Sequence, residues 1–310
     1  MIIVFGSINM DYRMAVRDFA KAGETVIAPS YEISAGGKGA NQALACARSG
    51  AKTALIGKVG DDGASARILN NLKRNEVNTS GVATSDVSPT GMAVIMVNDK
   101  GENQIVVASG ANGEVTAEQV PDDILKPDTI LLLQMEVPIP ENLALLERAK
   151  AKGATTILNL APAFHIPQKM LSLVDYLIVN ELEARSIAEV VGVNPEQDLM
   201  LLAKVLAAKG GHNCIVTLGG EGAVAMQQDG KGWRVPAMQL EKVVDTTGAG
   251  DCFCGTLAAS LHAKFALGSA MRRASVAASL SCTKEGAQES YPFLDDIEKA
   301  LESFPQAQPV

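Results

Sequence analysis

The chain is poor in the residues that mark several large functional classes. Aromatic side chains make up 4% of its 310 residues, and there are three histidines and five cysteines. The cysteines (Cys46, Cys214, Cys252, Cys254 and Cys282) are odd in number and form no C-x-x-C pair, which disfavours a secreted disulfide framework and fits a reducing cytoplasm. His165, His212 and His262 lie far apart with no ligand spacing, so a zinc site is not expected. No apolar run approaches the ~18 residues that a membrane helix needs. Clusters of Lys and Arg are missing too. A formal net charge of −8 and a pI near 5.0 repel a phosphate backbone, and neither nucleic acid nor a membrane surface is expected as a partner.

What is present is enough to build a large core, with 47% apolar and 20% charged residues. Met1-Ile2-Ile3-Val4-Phe5-Gly6 has no basic n-region or cleavage site and reads as a first strand. A Gly/Ala/Lys-rich turn at 34–40 leads into a small-residue helix ending near Ser49, followed by a strand at 53–57. Asp61 and Asp62 then precede a helix marked by Ala66, Leu69 and Leu72. Over 90–108 the period changes to two apolar strands around the polar turn 98–103, and Thr25-Val26-Ile27 reads as a third strand of the same small sheet. Strands at 129–134, 155–160, 175–179 and 213–218 alternate with helices such as 141–152 and 196–209. That alternation predicts a mostly parallel sheet covered by helices on both faces. Helices are expected over 250–264, 266–283 and 294–303. The expectation is one α/β domain over 1–310, with a small β-sheet lid from insertions at about 12–34 and 90–108. The lid strands are apolar on both faces, which predicts one face over a ligand and the other against a second subunit.

The sharpest motif is Val244-Asp245-Thr246-Thr247-Gly248-Ala249-Gly250-Asp251, running into the apolar helix that begins Cys252-Phe253-Cys254. Gly248, Ala249 and Gly250 can turn successive N–H groups towards one point, and a helix starting there adds its positive end. Asp251 at such an anion site gains nothing from the anion itself, so a role such as accepting a proton from an attacking hydroxyl is indicated. An N-terminal helix cap is the plainer use of Gly and Asp, but the flanking threonines, Asp245 and a strand-like Lys242–Val244 favour the functional reading. Cys252 at the helix start carries the option of a lowered thiol pKa, although small-residue packing accounts for the Cys-Phe-Cys run better.

Ser34-Ala35-Gly36-Gly37-Lys38-Gly39-Ala40-Asn41-Gln42-Ala43 is not a P-loop: Glu32 stands where the first glycine belongs, and Gly39 where Ser or Thr must follow the lysine. Phe253 likewise breaks a dinucleotide G-x-G-x-x-G. The segment remains a glycine turn that lets backbone approach a ligand. Asn9 and Asp11, two apart after the first strand, would point to one side of extended backbone and could hold adjacent hydroxyls; a simple turn is the alternative.

Together these stretches resemble the ribokinase, or phosphofructokinase-B type, family of carbohydrate kinases. Gly36–Ala43 is similar to its first signature and Asp245–Asp251 to its second. Ser109–Asn112, Gln134-Met135-Glu136 and Asn159–Ala163 resemble the members that act on ribose. The resemblance implies a ribokinase-like α/β fold and ATP-dependent phosphorylation of D-ribose at O5. Asp251 would be the general base, and the amides of Gly248, Ala249, Gly250 and Asp251 the anion hole. It implies sugar contacts from Asn9, Asp11, Gly36, Gly37, Lys38, Asn41 and Glu136. Nucleotide contacts would come from Asn180 and Glu183 near the magnesium-phosphate end, from Thr217, Leu218, Gly219, Gly220, Glu221 and Gly222, and from Gly250 and Ser275. Asp245, Thr247, Ser281, Lys284, Gly286 and Ser290 would hold a monovalent cation, K+, beside the anion hole. Magnesium, potassium and a homodimer formed through the lid are implied with it. Other sugars or a nucleoside, or a silent binding protein on this fold, are the alternatives. Arg13, Arg17, Asp18 and Lys21 make the lid's first strand more charged than the family pattern.

Overall fold

Ile2–Phe5 (β1) has all four side chains buried, as a strand covered on both faces requires. Ile2 and Val4 join one hydrophobic cluster and Ile3 and Phe5 the other, because successive side chains leave a strand on opposite sides. The computed structural model describes residues 1–310. In chain order the further strands are Asn9–Ala15 (β2), Tyr31–Gly36 (β3), Thr53–Gly60 (β4), Asn78–Ser85 (β5), Gly91–Val97 (β6), Asn103–Ala108 (β7), Ile130–Leu133 (β8), Thr155–Asn159 (β9), Tyr176–Asn180 (β10), Asn213–Thr217 (β11), Ala223–Met226 (β12), Gly232–Val235 (β13) and Gln308–Pro309 (β14). The helices are Lys38–Arg48 (α1), Gly63–Arg74 (α2), Ile139–Ala151 (α3), Gln168–Ser172 (α4), Glu181–Val190 (α5), Leu199–Gly210 (α6), Ala249–His262 (α7), Leu267–Ser281 (α8) and Leu294–Leu301 (α9).

Ten strands form the main sheet in the order β14-β13-β12-β11-β10-β9-β8-β1-β4-β5. From β11 through β5 every pairing is parallel, and β12, β13 and β14 extend the sheet antiparallel. Leu44 of α1, Leu257 of α7, Val276 of α8 and Ile297 of α9 pack with Ile2 and Val4 on one face. Leu145 of α3, Ile187 of α5 and Leu206 of α6 pack with Ile3 and Phe5 on the other. No helix is long and apolar enough to cross a membrane.

A second sheet of four strands, β3-β2-β6-β7, stands apart from the first. The hairpin expected at 90–108 is β6 and β7, joined around residues 98–102. Two local expectations fail. Thr25-Val26-Ile27 is irregular, and the sheet's other two strands are β2 and β3; Ile27 is fully solvent-facing, with no neighbour against which a strand would pair. Lys242–Val244 is also irregular, and the Val244 amide donates to the Cys282 carbonyl after α8 rather than to a strand. Asp61-Asp62 does cap a helix: the Asp62 side chain accepts from the Ser65 amide at the start of α2.

Candidate active site

The turn before α7 brings three parts of the chain together. Gly248 sits in the left-handed region (φ 75°) at the helix N-cap, and a Cβ there would lie 2.6 Å from the Tyr291 hydroxyl and 2.7 Å from the Ala287 Cβ. Only glycine fits. The Ala249 amide donates to the Thr246 carbonyl at 3.2 Å, so this one of the four expected anion-hole amides is already engaged. The Gly250 and Asp251 amides, in the first turn of a helix, have no acceptor within it.

Asp251 is 7% exposed, its carboxylate held from α1 on both sides. Asn41 Nδ2 donates to Oδ2 at 3.0 Å, and Gln42 Nε2 to Oδ1 at 2.9 Å. Those amides are fixed in turn. Asn41 Oδ1 accepts from Gln288 Nε2, Gln42 Oε1 accepts from Gln134 Nε2, and Gln42 Nε2 also donates to Asn159. Two chains of amides, Gln288 to Asn41 and Gln134 to Gln42, therefore run inward and end on the two Asp251 oxygens. Only a group that accepts at both oxygens satisfies them.

Gly36 and Gly37 let this end of α1 close upon the small sheet. A Cβ on Gly36 would fall 2.1 Å from Asp11 Oδ2, and one on Gly37 (φ 89°) 2.6 Å from the Asn9 amide. Asn9 and Asp11, on one face of β2, are both buried. Asn9 Oδ1 accepts from Asn112 Nδ2 at 2.7 Å, and Asn112 is anchored on the Ile8 backbone. Asp11 Oδ1 is buried with no partner. Burial, with Glu136, Asp251 and Glu289 nearby, pushes the Asp11 carboxyl up from 3.8 to about 7. Glu136 accepts from Ser7 Oγ at 2.5 Å. Burial acts to lower the Lys38 pKa, but the carboxylates of Asp251, Glu136 and Glu183 outweigh it and raise the value, so the ammonium stays charged. A cleft of about 400 Å³ opens beside Asn9, Asn112 and Glu136 and continues over Pro138, Ile139 and Phe164.

On the other side of the turn lies a cavity of about 460 Å³, with Thr217, Gly219, Gly220, Gly222, Gly250 and Ser275 in its wall. These are six of the expected nucleotide residues. Leu218 and Glu221 do not line it, and the Ser275 hydroxyl is turned to the Pro236 carbonyl at 2.6 Å. Asn180 and Glu183 form the capping box of α5, each side chain accepting from the other's amide at 2.8 Å. Burial raises the Glu183 pKa, opposed by Lys38. Asp251 lines neither cavity; it follows Gly250, in the wall of the first, and lies near enough to Asp11 and Lys38 to act on both electrostatically.

The doubly covered, mostly parallel sheet with its small second sheet matches known proteins along nearly the whole chain. The pfkB family carbohydrate kinase model matches residues 1–294. The chain belongs to that family. A ribokinase of Haemophilus influenzae is 38% identical over 304 residues, covering 97% of this chain and 98% of the relative. The structure of a ribokinase from Thermotoga maritima superposes with a TM-score of 0.89 at 32% identity, covering 97% of this chain and 99% of that one. A ribokinase of Arabidopsis thaliana, complexed with ribose and ATP, gives a TM-score of 0.87 at 31% identity, covering 98% and 99%.

In this pfkB-family kinase two of the expected cation residues, Thr247 and Gly286, meet at the Asp245 carboxylate. It accepts from the Thr247 amide (3.0 Å) and hydroxyl (2.7 Å) and from the Gly286 amide (3.1 Å). The Ser281 and Ser290 hydroxyls donate to the Ala278 and Ala287 carbonyls. The carbonyls of Thr247, Lys284, Gly286 and Ser290 accept no hydrogen bond from the protein. Cys252 is fully enclosed, and burial pushes its thiol up to about 12, which overturns the option of a lowered pKa. Site residues not foreseen are Gln42, Gln134, Asn159 and Gln288 behind the carboxylate, and Met238, Leu240, Ala278 and Ser279 in the wall of the 460 Å³ cavity. Gln42 stands in the quoted motif, whereas a lone Gln288 or Met238 carries no spacing signal.

Proposed function

We infer that this carbohydrate kinase transfers the γ-phosphoryl group of ATP to O5 of D-ribose, and that Asp251 is the base. The observation that carries the reading is the Asp251 carboxylate, held by two amides at the positive end of α7, next to Gly250 of the 460 Å³ cavity's wall and near Asp11 and Lys38. The sugar hydroxyl oxygen forms a bond to the γ-phosphorus, its proton passes to Asp251, and ADP leaves with the electrons of the broken P–O bond. Phosphoryl transfer asks chiefly for positioning and charge neutralisation. The free amides of Gly250 and Asp251 and the Lys38 ammonium supply positive field for that purpose. Glu183, whose second carboxylate oxygen makes no hydrogen bond, would help hold a magnesium ion that, when bound with ATP, would neutralise phosphate charge. The unpaired carbonyls of Thr247, Lys284, Gly286 and Ser290 are the donor type that a potassium ion takes.

The small sheet acts in this reading as a lid carrying Asn9 and Asp11 over the sugar, with the lid and kinase core one unit over 1–310. Its outer strand β7 leaves Ile105, Val106 and Val107 exposed, at 53%, 63% and 46%, a row that a second copy would cover in a homodimer. The I105E/V107E variant is expected to run at monomer mass in light scattering where the parent runs as a dimer; a monomeric parent removes the dimer. Five free cysteines support a reducing, cytoplasmic setting.

The test is ADP release with ATP and magnesium on adding ribose, fructose, deoxyribose or adenosine. Ribose is expected to give the highest kcat/KM. The cleft over Pro138, Ile139 and Phe164 is apolar and extends beyond the hydroxyl-binding cluster, which favours as a second reading a sugar with an apolar substituent, such as a nucleoside. A preference for adenosine would select it.

Asp11 gives this reading a pH signature. Its carboxyl titrates at 3.8 in the unfolded chain and at about 7 in the folded one. Between those values the unfolded chain gives up the proton while the folded carboxyl keeps it, so the folded state loses stability as pH rises through that window. Sugar hydroxyls donating to Asp11 favour the ionised form. Ribose binding is thus expected to release protons at pH 6.5 and to tighten as pH rises through about 7. Calorimetry in buffers of different ionisation enthalpy measures the release, which Asp11→Asn removes. Binding that releases no proton in the parent would exclude Asp11 as the hydroxyl acceptor.

A further inference from the structure

Arg13 adds a positive charge to the first strand of the small sheet, and the structure gives it a partner. It lies on β2 two residues beyond Asp11, on the strand face shared by Asn9 and Asp11. Its Nη1 donates to Asp245 Oδ2 at 3.5 Å, and the Asp245 side chain is 7% exposed. Asp245 opens the loop whose next residues build the Gly248 turn, and its carboxylate also ties Thr247 and Gly286. One carboxylate thus joins the small sheet, the loop before α7 and the loop after α8. The cleft of about 220 Å³ around it carries Asp11, Glu32, Glu285 and Glu289, and Arg13 is the single basic residue in its wall. A strand of the small sheet has placed a permanent positive charge beside the carbonyls that a monovalent cation would occupy.

We propose that Arg13 is a positioning residue that takes over part of the monovalent cation's role, ordering the Asp245 loop and locking the lid to it. The enzyme's dependence on potassium is correspondingly slight. The guanidinium cannot lose its proton and is tethered to β2, so it acts on the loop whenever the small sheet is in place. A potassium ion beside it meets a carboxylate already neutralised by an attached cation and adds little. The proposal rests on the kinase reading above.

The test compares the parent, Arg13→Gln and Arg13→Lys in potassium chloride and in tetramethylammonium chloride at equal ionic strength. Melting of the substrate-free protein and steady-state kinetics are both measured. For the parent, the two salts are expected to give melting temperatures within about 1 °C and kcat values within about twofold. Arg13→Gln should lose about tenfold in kcat in tetramethylammonium, with its ATP KM within about twofold, and recover most of it in potassium. It should also be stabilised by potassium where the parent is not. Arg13→Lys, which keeps the charge, should sit near the parent. A parent activated about tenfold by potassium, or an Arg13→Gln variant with the parent's salt ratio, overturns the proposal. Should no sugar release ADP, the kinase reading fails by itself, and the melting comparison still decides whether Arg13 stands in for the cation.

Discussion

Asp251→Asn is expected to lower kcat by about 10³-fold or more while ATP affinity stays within about threefold of the parent. The asymmetry follows from what the carboxylate touches. It lines neither large cavity, and its two hydrogen bonds go to α1. The 460 Å³ cavity proposed for the nucleotide is walled by Gly219, Gly222, Met238, Leu240 and Ser275, none of which hydrogen-bonds to it. An amide at this position cannot receive the sugar proton. It also turns an N–H₂ group against Asn41 or Gln42, whose donors already point inward because Gln288 and Gln134 hold their oxygens. Neither can flip without leaving a buried donor or acceptor unpaired, so a stability loss of about 1–3 kcal/mol accompanies the kinetic one. ATP titration separates the two effects: a variant that melts earlier yet binds ATP normally and turns over no sugar fits the base. Near-normal turnover would falsify the assignment.

Gly248→Ala is the second large effect. The residue holds φ 75°, and the added Cβ would lie 2.6 Å from the Tyr291 oxygen and 2.7 Å from the Ala287 Cβ. The left-handed backbone alone costs an L-residue roughly 1–2 kcal/mol. Tyr291 is buried and its hydroxyl is bonded to the Gly248 carbonyl, so it cannot retreat without breaking that bond. The turn must shift, and with it the Gly250 and Asp251 amides. We expect kcat to fall by about 10²–10³-fold and the melting temperature to fall by about 5 °C. Gly250→Ala is the control for stability. A Cβ there meets nothing within 4 Å, so its melting temperature should stay within about 1 °C of the parent. Equal melting of the two variants would show that the Gly248 conformation is not what holds the turn.

Several elements were legible because their physics is local. The hairpin at 90–108 alternates apolar and polar segments around 98–102, and α7 follows its glycine turn directly. The alternation of strands and helices after residue 129 is regular enough to indicate a parallel sheet, which the fold realises in the order β8-β9-β10-β11. By contrast Asn78–Ser85 contains polar residues and Gly81 and lies at the sheet's edge, so β5 left no apolar signal. The short β12 and β13, broken by small, glycine and charged residues, lack the unbroken large apolar run of the equally short β1 and β8. Thr25-Val26-Ile27 carried a strand signal that nothing answers, since a strand exists only where a neighbour accepts its hydrogen bonds.

From the sequence alone came the fold class, the family signatures and the residue types of the site, because glycine turns, capping pairs and apolar periods are set by neighbours along the chain. Tertiary structure decided the rest. It turned Asn41 and Gln42 towards Asp251, left one Asp11 oxygen without a partner, engaged the Ala249 amide and set Arg13 against Asp245. Each of these is a meeting of groups from distant segments or a choice among hydrogen-bond partners. Such choices are made by packing, where a buried polar atom must find whichever partner the fold brings within reach.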